Sequence, residues 1–296
     1  MIIDKPAGIT SHDVVYHVRR ALGTKRVGHT GTLDPFATGV MVILVGKATR
    51  LAQFLDKDRK EYIAEIQFGS RTDTGDSTGT VIDGSESHVD KIAPVLTTGL
   101  ETALESFRGD LLQAPPMYSA KKVGGKKLYE LAREGKTIER EAVPISIHEL
   151  SIVDDTWLEE EGRLELKVAC SAGTYIRTLA EDIGASMGIG AHLVALRRIA
   201  AGDFELAQSV TVEALHEMSD PGKALLPLDR AVSNLTGHEL SDDRVEKTRS
   251  GLSTRVQSNE LVTGQNVRLV DESGHLIAIG VYDETEKAIR PKVVLI

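Results

Sequence analysis

Apolar residues recur along the chain with two different periods, and the elements can be read from them. At the start, Met1–Asp4 reads as a short strand closed by Lys5-Pro6-Ala7-Gly8. Val14, Val15, Val18, Ala21 and Leu22 then fall on one helical face. Thr10 or Ser11 is placed to cap this helix, Asp13 lies in its first turn and Gly23 suits its end. Gly28–Gly39 reads as a loop of Gly, Thr and Pro, and Val40–Val45 as a buried strand or a short buried helix. Tyr62, Ala64, Ile66 and Phe68 alternate with Ile63, Glu65 and Gln67, as do Leu164, Leu166 and Val168 further on, which predicts strands. Ser70–Thr80 is a polar turn region.

Helical spacing returns at Leu100, Ala103, Leu104 and Phe107, and at Leu128, Leu131 and Ala132 with Gly135 as a stop. It returns again at Ile176, Leu179, Ala180 and Ile183, with Thr174 as the N-cap. Strands and helices alternate without the beat of βαβ units, so the fold class is a mixed α+β sheet. The pattern changes near Pro227–Thr236. Beyond it lie β-like pieces at Val267–Val270, Leu276–Val281 and Lys292–Ile296. The division expected is 1–232 for a main domain and 233–296 for a small β-rich one that packs against it, since so short a unit is marginal alone.

Composition narrows the class. Of 296 residues 41% are hydrophobic, enough for a core, and the net charge is −9. That total argues against a nucleic-acid binder, but the charge is unevenly spread. Residues 1–60 carry 10 basic and 5 acidic groups, and residues 121–140 carry 7 and 3. The acidic excess lies in 61–120 and 141–232. Two basic segments in an acidic chain permit an anionic ligand at a confined site. The single cysteine, Cys170, excludes an intrachain disulfide and a multi-cysteine zinc site. No signal peptide and no apolar run of membrane-spanning length is read, so the expected setting is cytoplasmic.

Phosphate and metal motifs fail on inspection. Gly46-Lys47-Ala48-Thr49 has Ala48 where a Walker A motif needs a hydroxyl, and Gly188-Ile189-Gly190 lacks the third glycine. His12 and His17 do not share a helical face, so no metal site is expected. The densest stretch is Gly28-His29-Thr30-Gly31-Thr32-Leu33-Asp34-Pro35-Phe36-Ala37-Thr38-Gly39. A carboxylate held in such a turn, Asp34, can be a nucleophile or a general base, or can simply close its own turn.

Here the residues carry a resemblance. Asp4-Lys5-Pro6-Ala7-Gly8-Ile9-Thr10-Ser11-His12 followed by Gly28–Pro35 resembles the TruB family of tRNA pseudouridine synthases. Further matches keep the family's order: Lys60-Glu61-Tyr62, Arg71-Thr72-Asp73-Thr74-Gly75-Asp76, and Gln113-Ala114-Pro115-Pro116-Met117-Tyr118-Ser119-Ala120-Lys121-Lys122. Gly173-Thr174-Tyr175-Ile176-Arg177-Thr178-Leu179-Ala180 and Leu196-Arg197-Arg198 complete the set, which spans roughly 1–230. Ala288-Ile289-Arg290-Pro291-Lys292 is similar to the end of the family's PUA-like C-terminal domain, a weaker match.

The resemblance implies a mainly antiparallel pseudouridine synthase sheet and isomerisation of the T-loop uridine at tRNA position 55. It implies no cofactor, no metal, no membrane and no protein partner, with a monomer acting on the T-arm. Asp34 is implied to be the essential carboxylate, attacking C1′ or assisting uracil loss by taking a 2′ proton. Arg177 is implied to orient it and keep it ionised, Tyr62 to stack on the uracil with a phenol that can help move the C5 proton, and Leu196 and Tyr175 to wall the pocket. His29 is implied to brace the site vacated when the base flips out, a displacement that costs a few kcal/mol. Lys121 and Lys122, with Lys126 and Lys127 around a flexible Gly124-Gly125 loop, suit RNA phosphates. Two rival readings stand beside this one: an RNA-folding module without catalysis, and a relative that needs guide RNA and protein partners.

Overall fold

The computed structural model describes residues 1–55, 59–83, 89–256 and 260–296. Among them, ten strands form one large sheet. These are β1 (Ile2–Lys5), β2 (Val27–Thr30), β3 (Thr38–Val45), β4 (Lys60–Phe68), β5 (Gly109–Gln113), β6 (Val143–Asp154), β7 (Arg163–Cys170), β8 (Ala191–Ala201), β9 (Phe204–Glu205) and β10 (Val210–Thr211). Their order is β10-β1-β3-β8-β4-β7-β6-β5, with β9 against β8 and β2 against β3. The β1–β10 and β3–β8 pairings are parallel and the rest antiparallel, so the sheet is mixed and mainly antiparallel as expected.

The local reasons for these elements are visible. Helix α1 (Ser11–Leu22) starts in a capping box: the Thr10 hydroxyl accepts from Asp13 N, and the Asp13 carboxylate accepts from Thr10 N. It buries Val14, Val15 and Val18 and ends at Gly23 in the left-handed conformation. In β4 the buried positions are Lys60, Tyr62, Ala64, Ile66 and Phe68, the alternation a strand imposes when one face meets a core. Helix α2 (Val89–Ser106) buries Ile92, Leu96, Leu100 and Leu104, one per turn.

Some boundaries differ from the sequence reading. Gly28–Gly39 is not wholly loop: residues 28–30 belong to β2, where His29 pairs with Ile43. The polar Ser70–Thr80 stretch contains a two-residue strand, Arg71–Thr72, paired with Val81–Asp83. The N-cap of the helix Ile176–Ser186 (labelled α3) is Tyr175, not Thr174, whose hydroxyl instead donates to Ser171 O. The last strand lies at Ala288–Val294, earlier than Lys292–Ile296. The Gly124-Gly125 loop is a tight hairpin: Lys122–Val123 pairs with Lys126–Lys127, and both glycines take positive φ, as a two-residue turn between twisted strands requires.

A second sheet of five strands comprises β11 (Thr236–Glu239), β12 (Thr254–Arg255), β13 (Asn266–Val270), β14 (Leu276–Asp283) and β15 (Ala288–Val294), in the order β11-β13-β14-β15-β12. Leu240, Val267, Leu269, Ile277, Tyr282 and Ile289 form its own core. A separate cluster joins it to the large sheet's side of the molecule: Leu51 and Val232 pack with Leu276, Ile279, Val293 and Leu295. No helix among the described residues is long and apolar enough to cross a membrane.

Candidate active site

The segment between β2 and β3 carries Asp34, and its backbone is gripped from three sides. Ser11, at the start of α1, donates its hydroxyl to Leu33 O at 3.0 Å and accepts from Leu33 N at 2.9 Å. Lys5, at the end of β1 and with no solvent exposure, donates its ammonium to Pro6 O, Pro35 O and Ala37 O at 2.9, 3.1 and 2.7 Å. Gly8 N donates to Pro35 O at 2.8 Å and Ala37 N to Asp34 O at 3.1 Å. A loop held by so many bonds presents its carboxylate as firmly as a strand would.

The far end of the loop depends on one glycine. Gly39 has φ +103°, and a Cβ there would lie 2.1 Å from Arg198 O. Only glycine lets β3 approach β8 closely enough for the Arg197–Thr38 and Arg198–Gly39 pairing. That pairing brings the Asp34 loop to the strand carrying Leu196 and Arg198.

Arg177 reaches Asp34 from α3. Its Nε lies 3.0 Å from Asp34 Oδ2, and its side chain is 5% exposed against 37% for the Asp34 side chain. Its remaining donors are used: one terminal nitrogen gives to Thr74 O and the other to Tyr118 O, both at 2.7 Å. The first also pairs with the buried Asp76 at 3.5 Å. A guanidinium fixed in this way cannot follow the carboxylate; it dictates where the carboxylate sits. Arg177 pulls Asp34 toward ionisation. Burial pushes harder the other way, with Asp76 adding to it, so the Asp34 carboxyl lies above its ordinary value.

Asp34 and Arg177 line a cavity of about 370 Å³, within the range of a small-ligand pocket. Tyr62, Tyr175 and Leu196 line it too, together with Lys60, Arg198, Thr32, Ser119 and Ala120. Tyr62 comes from β4 and Leu196 from β8, one pairing step apart from each other's neighbours, Arg198 and Ala64. Burial pushes the Tyr62 phenol up, opposed by the Arg198 guanidinium. Tyr175 is set by the buried Gln113, whose amide gives to Tyr175 O at 3.0 Å and accepts from Tyr175 N at 2.7 Å.

Three residues singled out in the sequence are not in this lining. His29 stands on β2, edge-on to His12 with ring centroids 6.0 Å apart. Lys121 and Lys122 follow the lining residues Ser119 and Ala120 along the chain and enter the 122–127 hairpin. Behind that hairpin, Lys127 and Arg133 both lie over the Tyr129 ring, at 5.3 and 5.4 Å.

The sequence reading assigned no part in the site to Lys5, Lys60, Asp76, Gln113 or Arg198, and took Ser11 only as a candidate helix cap, a place Thr10 holds. A signal for some of them exists: Lys60 is in phase with the inward face of β4, and Arg198 is in phase with Leu196 on β8. A charged residue on the buried phase of a strand is costly unless it is paired for a purpose. Among the described residues, no group of three or more His, Cys, Asp or Glu side chains is placed to hold a metal ion.

The chain is similar to known proteins along most of its length. Residues 19–176 match the family model described as TruB family pseudouridylate synthase (N terminal domain), and residues 177–233 the tRNA pseudouridylate synthase B C-terminal domain. A tRNA pseudouridine synthase B of Haemophilus influenzae (strain 86-028NP) is 41% identical, covering 98% of this chain and 93% of its own. One of Geobacillus kaustophilus (strain HTA426) is 42% identical, covering 90% and 94%. Among solved structures, a Cbf5-Nop10-Gar1 complex contains a chain that superposes with a TM-score of 0.74 at 25% identity, over 100% of this chain and 84% of that one.

Proposed function

Since the chain belongs to the TruB family of pseudouridylate synthases, we propose that it isomerises uridine to pseudouridine in tRNA, at the T-loop uridine of position 55. The observation that carries this reading is the Asp34–Arg177 pair at 3.0 Å at a cavity of about 370 Å³ lined by Tyr62, Tyr175 and Leu196. The uridine flips out of its stack into the cavity, and its ring lies against Tyr62 and Leu196. Asp34 then drives cleavage of the N1–C1′ bond, by attack on C1′ or by removing a 2′ proton. In either route the bonding pair leaves with N1 of the uracil. Arg177 holds the carboxylate in line and confines its rotation. The detached uracil turns and C5 joins C1′, displacing the Asp34 carboxylate in the first route and with return of the 2′ proton in the second; C5 then gives up its proton and N1 takes one up, so the product is an isomer.

Residues 1–232 form the catalytic domain and 233–296 a PUA-like domain; the second family match ends at 233, beside this boundary. The enzyme works in the cytoplasm as a monomer on free tRNA, without guide RNA or protein partner. His29 braces the space the base leaves, and Lys121 and Lys122 contact RNA phosphates. Activity on a bare T-arm transcript tests the assignment. The parent forms pseudouridine there, whereas Asp34→Asn binds the transcript and lowers the rate by about 10³-fold or more. A clean Asp34→Asn preparation that reacts at a rate near the parent's rules out the catalytic role. A parent that binds but never reacts leaves the chain an RNA-folding module.

A further inference from the structure

Helix α3 brings Tyr175 and Arg177 to the cavity, and its start is not held by a cap of its own. N-caps are mostly Ser, Thr, Asp or Asn, whose side-chain oxygens accept from the first helical N–H groups. Here the N-cap is Tyr175, with no side-chain cap bond, and the neighbouring Thr174 hydroxyl goes to Ser171 O at 2.9 Å. What holds this residue is Gln113, 3% exposed at the end of β5. Its amide accepts from Tyr175 N at 2.7 Å and donates to Tyr175 O at 3.0 Å. The same Tyr175 O accepts a helical bond from Leu179 N at 3.0 Å. A primary amide carries a donor and an acceptor side by side. It therefore pairs with one backbone residue through both its N–H and its C=O, as a residue of a neighbouring strand does.

Gln113 is not itself part of the cavity lining, so its effect on the reaction passes through the residue it holds. We propose that Gln113 is a positioning residue for the isomerisation: its amide fixes the backbone of Tyr175, and thereby the place of the Tyr175 ring as the wall that sets the flipped uracil against Asp34. This deepens the proposed function and rests on it. The sequence places tyrosine where a helix favours a short polar cap, which fits a residue needed for its ring rather than for capping. The task of holding the helix start then falls to another element. Its assignment to β5 has a further effect. Beyond Gln113 the chain returns to α3 at Tyr118, whose carbonyl accepts from Arg177 at 2.7 Å, and then enters the lining as Ser119 and Ala120. Residues 113–120 are thus tied to α3 at both Tyr175 and Arg177. A wall displaced by about an ångström leaves the T-arm bound but the uridine out of line with the carboxylate, a loss that appears in rate.

A double-mutant cycle reads the coupling. Gln113→Met keeps the length of the side chain and removes both bonds to Tyr175. It is compared with Tyr175→Leu and with the pair in single-turnover pseudouridine formation on the T-arm transcript, with affinity measured separately in an Asp34→Asn background. Gln113→Met is expected to slow the reaction about 10–100-fold and to alter affinity less than about threefold. The pair is expected to be no more than about threefold slower than Tyr175→Leu alone, because the ring that Gln113 places is already gone. Costs that multiply, or a loss that appears in affinity alone, overturn the proposal. A fluorine spectrum of protein carrying 3-fluorotyrosine at its six tyrosines reads the ring directly. The Tyr175 resonance, identified by its loss in Tyr175→Phe, is expected to shift in Gln113→Met while those of Tyr16 on α1 and Tyr282 on β14 stay in place. An unmoved Tyr175 resonance, or a shift of all six, overturns the positioning role. If Gln113→Met does not fold, Gln113→Asn, which keeps the amide on an arm one methylene too short for both bonds, is carried through the same cycle and spectrum with the same expectations. An Asp34→Asn protein that reacts at a rate near the parent's would sink the underlying reading instead, so the two failures are distinct.

Discussion

The carboxyl of Asp34 sits where burial raises its hold on a proton more than the Arg177 guanidinium lowers it. For an acid raised in this way, the folded state binds more protons than the unfolded one between the ordinary and the raised value. Stability therefore falls as pH rises through that window, and the loss persists above it. The neutral amide of Asp34→Asn escapes this cost, and Arg177 keeps Asp76, Thr74 O and Tyr118 O as partners. The inert variant is expected to melt at or above the temperature of the parent near pH 7; a clearly lower melting temperature contradicts the argument. Lys5 carries a cost of the same sign, since burial disfavours its charged form as well. Burial lowers its pKa to about 8, yet its ammonium serves two carbonyls of the Asp34 loop, Pro35 O and Ala37 O, and that of its neighbour Pro6. Lys5→Met takes the charged donor from these carbonyls, of which Pro35 O keeps Gly8 N. It is expected to cost about 2–4 kcal/mol, read in a denaturant titration as a shift of midpoint without change of slope.

At the scale of elements, the parts legible in the sequence were those written in a period. The alternation of β4 and the one-face pattern of α1 appear in the structure with nearly the boundaries their residues predict. The carboxylate loop was legible as a dense run of Gly, Thr and Pro, and its partner Arg177 through the family's motif order. What escaped was cross-chain: Lys5, Asp76, Gln113 and Arg198 matter through partners far away in sequence, and no local period encodes a partner. The 122–127 hairpin escaped for another reason, since Gly124-Gly125 reads equally as a flexible tether and as a two-residue turn. Being a turn, it fixes the spacing of the lysines around it. Lys121→Ala with Lys122→Ala is expected to weaken T-arm binding and to reduce the slope of log affinity against log salt by about one phosphate contact per lysine. An unchanged slope in a filter-binding series across salt removes the phosphate role.

For the whole molecule, the net charge of −9 and the family's anionic substrate are reconciled by placement. The basic excess lies in the stretches that hold Asp34 and the 122–127 hairpin, which permits attraction of an anion at a confined place on an otherwise acidic chain. The second sheet is fastened through an apolar seam of Leu51, Val232, Leu276, Ile279, Val293 and Leu295. Ending the chain after residue 232 uncovers Leu51 and Val232, and is expected to lower the melting temperature by several degrees and to promote aggregation, as light scattering would record. The parallel junction of β3 with β8, closed at Gly39, has a consequence for synthesis. The ribosome releases Asp34 early, but Arg177, Leu196 and Arg198 emerge only once most of the chain has been made. No local contact can assemble the pocket in their absence, and joining segments so distant pays loop-closure entropy before it gains any bond. The nascent protein thus passes through a long interval with its carboxylate loop made and its chemistry absent. Activity is then acquired late and all at once, when β8 slots between β3 and β4.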